Sequence, residues 1–298
     1  MQTSNEAPAS LGDGLFKKQL NIKIVGLGEG GAKAISKMIS AGVGKNKSVE
    51  FIAIGNDENI MLTSLARKNI FLNRDLATIY KKTFDALEGA KLIFIVGGLA
   101  GNAARSAIPT ITSYAKTYDA KTVAFVCKPS VLENISRKEN AEYTLKNLRG
   151  KVDMLFAVPA EKFFMFRLNQ PQISLNELFD VADDIFCQGV KIFLDMLDKK
   201  SELFKWKNAA FGYGEATAVL DAIKLAAKFP TFEEDELKNA QGIFIRLASG
   251  KPLSLSSIDA AEKFIKEQLQ PETKFFLHEE KILALGEKVF ASIICTRN

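Results

Sequence analysis

A glycine-rich turn, Gly26-Leu27-Gly28-Glu29-Gly30-Gly31-Ala32-Lys33, joins the apolar run IKIVGL (22–27) to an amphipathic stretch carrying Ile35, Met38 and Ile39. Glycines at a strand-to-helix junction let backbone amides approach a phosphate, and the helix start adds about half a positive charge. Gly28, Gly30 and Gly31 are therefore candidate phosphate-binding positions, with a tight structural turn that holds no ligand as the competing reading. The GxxxxGK[ST] spacing of a P-loop is absent. Other chemistry is harder to build. Cys127, Cys187 and Cys295 are far apart, form no CxxC pair and have only His278 as an imidazole companion. A disulfide framework and a zinc site are both poor readings, and the thiols read as small core residues.

The elements that must position this turn show in the hydropathy pattern. FIAIG (51–55), KLIFIVG (91–97), KTVAFVC (121–127) and DMLFAV (153–158) follow the first run with helical patterns between them. Continuous apolar runs of that kind mark a parallel sheet covered on both faces, a doubly wound α/β domain. From Ile173 the period changes, because Leu175, Leu178, Phe179, Ala182, Ile185, Phe186, Val190, Phe193, Met196 and Leu197 recur at three- and four-residue steps. That spacing predicts one long helix from Ser174 to Lys199. Helical patterns over 214–228 and 256–269, with the runs GIFIRLA (242–248), TKFFLH (273–278) and KVFASIIC (288–295), suit a smaller mixed α/β domain. The expected organisation is a flexible tail (1–20), a first domain (21–172), a central core helix (173–200) and a C-terminal domain (201–298).

Composition bounds the function. A length of 298 residues suits two domains. Hydrophobic residues at 47% and charged residues at 25% match a soluble globular chain and exclude global disorder. No run approaches the roughly 18–20 apolar residues of a transmembrane segment, and MQTSNEAPASLGDG lacks the layout of a signal peptide, so a cytoplasmic location is expected. The net charge of +5 is slight and dispersed, which gives no expectation of nucleic acid as a partner.

The order of several motifs says more than any one of them. They are VGLGEGGAKAISKMI (25–39), FIAIGNDENIML (51–62), LEGAKLIFIVGGLAGNAARSAIP (87–109), AKTVAFVCKPSVLENISRKENA (120–141), VDMLFAVPAEKFF (152–164), ISLNELFDVADDIFCQGVKIF (173–193), AAFGYGEATAVLDAIKLAAK (209–228) and LKNAQGIFIRLASGKPLSLSSIDAAEKFI (237–265). In this order they resemble FtsZ, the bacterial member of the tubulin superfamily, from Asn21 to the last strand. The resemblance implies a tubulin/FtsZ-like fold: a GTP-binding domain, a long core helix and a C-terminal domain that together form a protofilament subunit.

Site residues follow from that resemblance position by position. Phe179 stands where the family stacks an aromatic ring on guanine. Asp183, one turn further along the same helical face, stands where a side-chain oxygen accepts from the guanine N1 and amino groups. Read without the family, Phe179 is core and Asp183 a solvated surface residue. Glu133 and Arg137 match an acidic and a basic residue near the ribose and phosphates. Asn56 and Asp57 match the turn after the second strand, where an acidic side chain can orient a magnesium-bound phosphate. Gly98 and Gly101 belong to the phosphate loop after KLIFIVG.

Several positions depart from the family. FtsZ carries GGGTGTG where this chain has Ala100-Gly101-Asn102-Ala103-Ala104-Arg105-Ser106, so Cβ atoms crowd the amides. Arg105 either pairs with a phosphate or points to solvent. Glu29 replaces a glycine and Lys33 an asparagine. The γ-phosphate loop has no counterpart, because Asn73-Arg74-Asp75-Leu76 leads straight into TIYKKTFDALEG. FtsZ follows its long helix with an acidic NxDFADV-type segment that polarises the attacking water. Here residues 198–208 are rich in lysine and keep only Asp198 and Glu202 as carboxylates. The expectation is an FtsZ-like structural protein with weakened or lost binding of GTP or GDP, magnesium in doubt, no catalytic residue and no effective hydrolysis. Its expected partners are copies of itself, head to tail, and other division or membrane-associated proteins. The alternative is an active GTP-hydrolysing division protein that forms filaments.

Overall fold

The apolar runs become strands β1 (Ile22–Leu27), β2 (Val49–Gly55), β4 (Leu92–Gly98), β5 (Lys121–Lys128) and β6 (Met154–Pro159), with a short β3 (Lys68–Phe71) after β2. Helices α1 (Gly28–Ser40), α2 (Glu58–Thr63), α3 (Leu76–Ala86), α4 (Asn102–Tyr118) and α5 (Ile135–Leu148) alternate with them. The long helix α6 (Leu175–Leu197) follows, then β7 (Asn208–Ala216), α7 (Val219–Ala227), β8 (Gly242–Ser249), α8 (Leu255–Lys266), β9 (Lys274–Lys281) and β10 (Val289–Arg297). This computed structural model describes residues 21–45, 48–72, 75–131, 133–162, 175–197, 204, 207–229, 231–232 and 235–297; the expected tail (1–20) and most of 198–208 lie outside them.

The described strands form one ten-stranded sheet in the order β3-β2-β1-β4-β5-β6-β7-β10-β8-β9. β1 to β6 are parallel, whereas β10 runs antiparallel to both β7 and β8. The two arms of the sheet meet at a single register pair, Leu155 with Asn208.

Alternation along each parallel strand divides the core between the two faces. Ile24, Phe94, Phe125 and Phe156 point to the face covered by α1 and α6. Val25, Ile93, Ile95 and Val126 point to the face covered by α3, α4 and α5. Phe193 of α6 meets Phe94 edge-on at 5.6 Å, while Phe125 and Phe156 stack at 4.2 Å and Phe125 meets Phe211 of β7 at 5.8 Å. This aromatic cluster fixes α6 over the line where the arms join. Burial raises all three thiols, Cys187 to about 11, and Cys127 and Cys295 further, which suits inert core residues.

Two strands differ from the sequence reading. β3 shows only Ile70 buried, so KNIF carries no apolar run. β7 takes in 214–216, which the helical pattern had claimed, and α7 begins only at Val219. Its glycines exist for close packing: a Cβ at Gly212 would stand 2.8 Å from Cβ of Phe229.

Candidate functional site

The chain runs from β1 outward to β3 and then returns to β4 and outward to β6, so the sheet order reverses between β1 and β4. Ligands of open α/β sheets bind at the carboxyl ends of the strands beside such a reversal. The β1–α1 turn and the β4–α4 loop flank it, and Gly28 and Ala103 lie against each other there, an added Cβ on Gly28 standing 3.8 Å from that of Ala103.

Three glycines of the first turn are required by the fold itself, Gly26 because a Cβ there would stand 2.6 Å from the Gly31 carbonyl carbon. Gly28 has φ +71°, in the left-handed region. A Cβ on Gly31 would lie 2.7 Å from the Val96 carbonyl oxygen. Gly30, Gly98 and Gly101 differ, since a Cβ at any of them would have nothing within 4 Å. Packing does not explain glycine at these three positions, and they leave open space over two helix starts. The charges there are mixed. Glu29 lies in the first turn of α1, where its carboxylate would oppose an anion, and Lys33 pairs with it at 2.8 Å.

Beside this edge a cleft of about 650 Å³ opens between α1, α2 and α6, lined by Lys33, Ser36, Lys37, Thr63, Asp183 and Asp184 among others. That volume suits a small organic ligand. Asp183 is only 6% exposed, so its carboxylate is held in the cleft wall rather than solvated. Asp184 forms an ion pair with Lys37 at 2.7 Å, tying α6 to α1 across the cleft. Ser36 accepts from the Leu65 backbone N–H at 3.1 Å and shapes the rim. The sequence reading missed Lys37, Ser36 and Asp184. Lys37 and Ser36 follow Lys33 at helical spacing, a signal that could have found them.

The remaining expected residues are spread around the same edge. Phe179 falls on α6 one turn before Asp183, with its side chain outside the described ones. Asn56 and Asp57 are exposed where β2 ends, and Asp57 caps α2 by accepting from the Ile60 N–H at 3.1 Å. Glu133 and Arg137 form an ion pair with each other after β5 and do not line the cleft. Arg105 donates to Asn140 at 3.0 Å and lies over the Tyr143 ring at 5.0 Å, which holds its guanidinium against α5. Residues 72–75 alone connect β3 to α3, and Asp75 caps that helix through the Ala77 and Thr78 amides. Among the described residues no cluster of three His, Cys, Asp or Glu side chains could hold a metal, and no helix is long and apolar enough to cross a membrane.

Residues 21–166 match the tubulin/FtsZ family, GTPase domain. The chain is 27% identical over 327 aligned positions to cell division protein FtsZ 1 of Thermococcus kodakarensis, covering 99% of this chain and 86% of that protein. It is 24% identical to cell division protein FtsZ of Magnetospirillum gryphiswaldense, with 92% of this chain aligned and about half (54%) of that longer protein. An FtsZ dimer from M. jannaschii superposes with TM-score 0.80 at 22% identity, over 94% of this chain and 89% of that one. A GTPgS-bound protofilament of CetZ2 from Haloferax volcanii gives TM-score 0.77 at 16% identity, over 93% and 92%. The fold is that of these FtsZ and CetZ structures, and the match over residues 21–166 together with the FtsZ relatives supports membership of the tubulin/FtsZ superfamily.

Proposed function

We propose that this chain is a self-assembling FtsZ-like cytoskeletal subunit that holds a guanine nucleotide weakly and does not hydrolyse it effectively. The buried Asp183 carboxylate in the wall of the cleft carries the reading. A carboxylate there can accept from both donors of the guanine Watson–Crick edge, while the Lys33 ammonium offers a donor from the same cleft. Phe179, one turn away, would supply the stacking ring. The phosphates would run towards the amides at Gly28–Gly31 and Gly98–Gly101, where Gly30, Gly98 and Gly101 leave open space.

Weak binding follows from what surrounds those amides. Glu29 brings a carboxylate to the phosphate end, and the buried Ala103 and Ala104 stand where the family has threonine and glycine, respectively. Glu133 and Arg137 would have to exchange each other for the ligand. Asp57, the candidate for a magnesium-bound phosphate, already caps α2. Loss of hydrolysis rests on the short 72–75 connection and on the lysine-rich 198–208 segment, which together lack the groups that distinguish and attack a γ-phosphate. Head-to-tail assembly is supported by the dimeric and protofilament forms of the structural neighbours. In this reading residues 21–172 form the nucleotide-binding domain, 173–200 the core helix and 201–298 the C-terminal domain. The match to a GTPase domain favours an active enzyme as the second reading.

Denaturing the purified protein and separating the released small molecules should give guanine nucleotide below one per chain. Asp183→Ala should weaken GDP binding about 10–100-fold, the value of hydrogen bonds to a charged acceptor. Phosphate release at high protein concentration should stay at background, and electron microscopy should show filaments that form without turnover. Sustained phosphate release, or GDP binding unchanged in Asp183→Ala, would overturn the proposal.

A further inference from the structure

At the other edge of the sheet, where β4 begins, the C-terminal ends of α3 and α4 enclose a groove of about 480 Å³ lined by Phe84, Asp85, Glu88, Lys91, Tyr114 and Tyr118. β4 has seven residues, so the groove lies roughly 20 Å from the glycine loops at about 3.3 Å per residue. It is a separate site from the nucleotide cleft.

The groove is built from rings set at angles. Phe84 meets Tyr114 edge-on at 5.0 Å and Tyr118 at 5.8 Å, and the two tyrosines tilt against each other at 4.6 Å. Tyr114 is buried beside Gly89 and Ala90, so it anchors the others. Tyr118 remains 49% exposed, and Tyr80, stacked on Phe84 at 5.6 Å, is 47% exposed. Asp85 and Glu88 stand exposed beside these rings, and neither forms an ion pair among the described residues.

Ring faces carry negative charge density, and carboxylates add to it. The combination attracts a cation whose stem is apolar, which describes lysine and arginine side chains. Lys91 at one lip repels a second cation and so disfavours a polybasic run. The excess of carboxylates and ring faces disfavours phosphate-bearing partners such as nucleic acid or anionic lipid. We propose that this groove is a docking site for a single lysine or arginine, flanked by apolar residues, in a peptide segment of a partner protein.

The chain has five tyrosines, so ring-labelled tyrosine gives a small set of NMR signals, with Tyr143 and Tyr213 as internal controls away from the groove. The probe is the capped peptide acetyl-Ala-Leu-Lys-Leu-Ala-amide, compared with the same peptide carrying norleucine for lysine. The expected result is a saturable shift of the Tyr118 and Tyr80 signals with the lysine peptide alone. Asp85→Asn with Glu88→Gln should weaken it about tenfold, as two exposed charge pairs would. Tyr118→Leu should weaken it as well. Equal shifts with norleucine, or none with lysine, would overturn the proposal. Binding that emerges only after Lys17 and Lys18 are replaced by alanine would also overturn it, because the chain's own basic residues would then be the occupant.

Discussion

Replacing Glu50 by glutamine removes the counter-ion of a lysine that has almost no access to water. Lys23 lies in β1 at 4% exposure, and Glu50 is its register partner on β2. Their side chains form an ion pair, with Lys68 of β3 a further 3.3 Å from the same carboxylate. Burial pushes the Glu50 carboxyl up, and Lys23 and then Lys68 more than reverse this, leaving it below its ordinary value of 4.5. A carboxylate lowered in this way contributes stability that is present above its unfolded value and is lost as pH falls through the lower folded one. Glu50→Gln leaves the Lys23 ammonium buried without a counter-charge, at a cost of about 3–5 kcal/mol. That is a large part of the roughly 5–15 kcal/mol that holds a typical domain. Urea unfolding at pH 7 should show the midpoint falling with an unchanged slope, and the gap between the two proteins should narrow as pH drops below about 4.5. The double variant Lys23→Met with Glu50→Leu should recover most of the loss, because it removes both charges. A Glu50→Gln cost under about 1 kcal/mol, or a double variant no more stable than the single one, would refute the reasoning.

Phe193→Ala should cost about 3–5 kcal/mol, since the ring is fully buried where α6 crosses the join between the arms; thermal unfolding followed by calorimetry measures it. Asn134→Ala removes the side chain that accepts from the Arg137 N–H at 2.9 Å at the start of α5, and should cost about 1 kcal/mol in chemical denaturation. Gly31→Ala should distort the β1–α1 turn, because its Cβ would press on the Val96 carbonyl; slowed refolding or loss of soluble protein would report it, and native-like stability would contradict it.

The strands buried on both faces were legible because a parallel strand under two helical layers must be apolar along its whole length, as LIFIVG in β4 is. β3 escaped because an edge strand with one buried residue leaves no such mark. β7 escaped because its glycines answer to α7, a neighbour that the local pattern does not reveal. At the candidate site, the glycine turn between β1 and α1 could be read in advance, whereas the pattern alone made Asp183 a solvated residue and did not reveal its burial. The engagement of Arg105 with α5, and of Asp184 with Lys37, could not. Long side chains choose between ligand, solvent and neighbour according to what the fold brings within reach.

The join between the two arms has a mechanical side. Within each arm, neighbouring strands share many register pairs, whereas β6 and β7 share one, backed by the Leu155 N–H donating to the Lys207 carbonyl at 2.8 Å. Resistance to bending at that seam therefore comes from the aromatic side chains packed across it, Phe125, Phe156, Phe193 and Phe211. Apolar contact of this kind weakens on cooling, while a backbone ladder does not depend on it. A chain loaded along its length should yield first at the seam, with each arm turning as a stiff plate, and its compliance should grow in the cold.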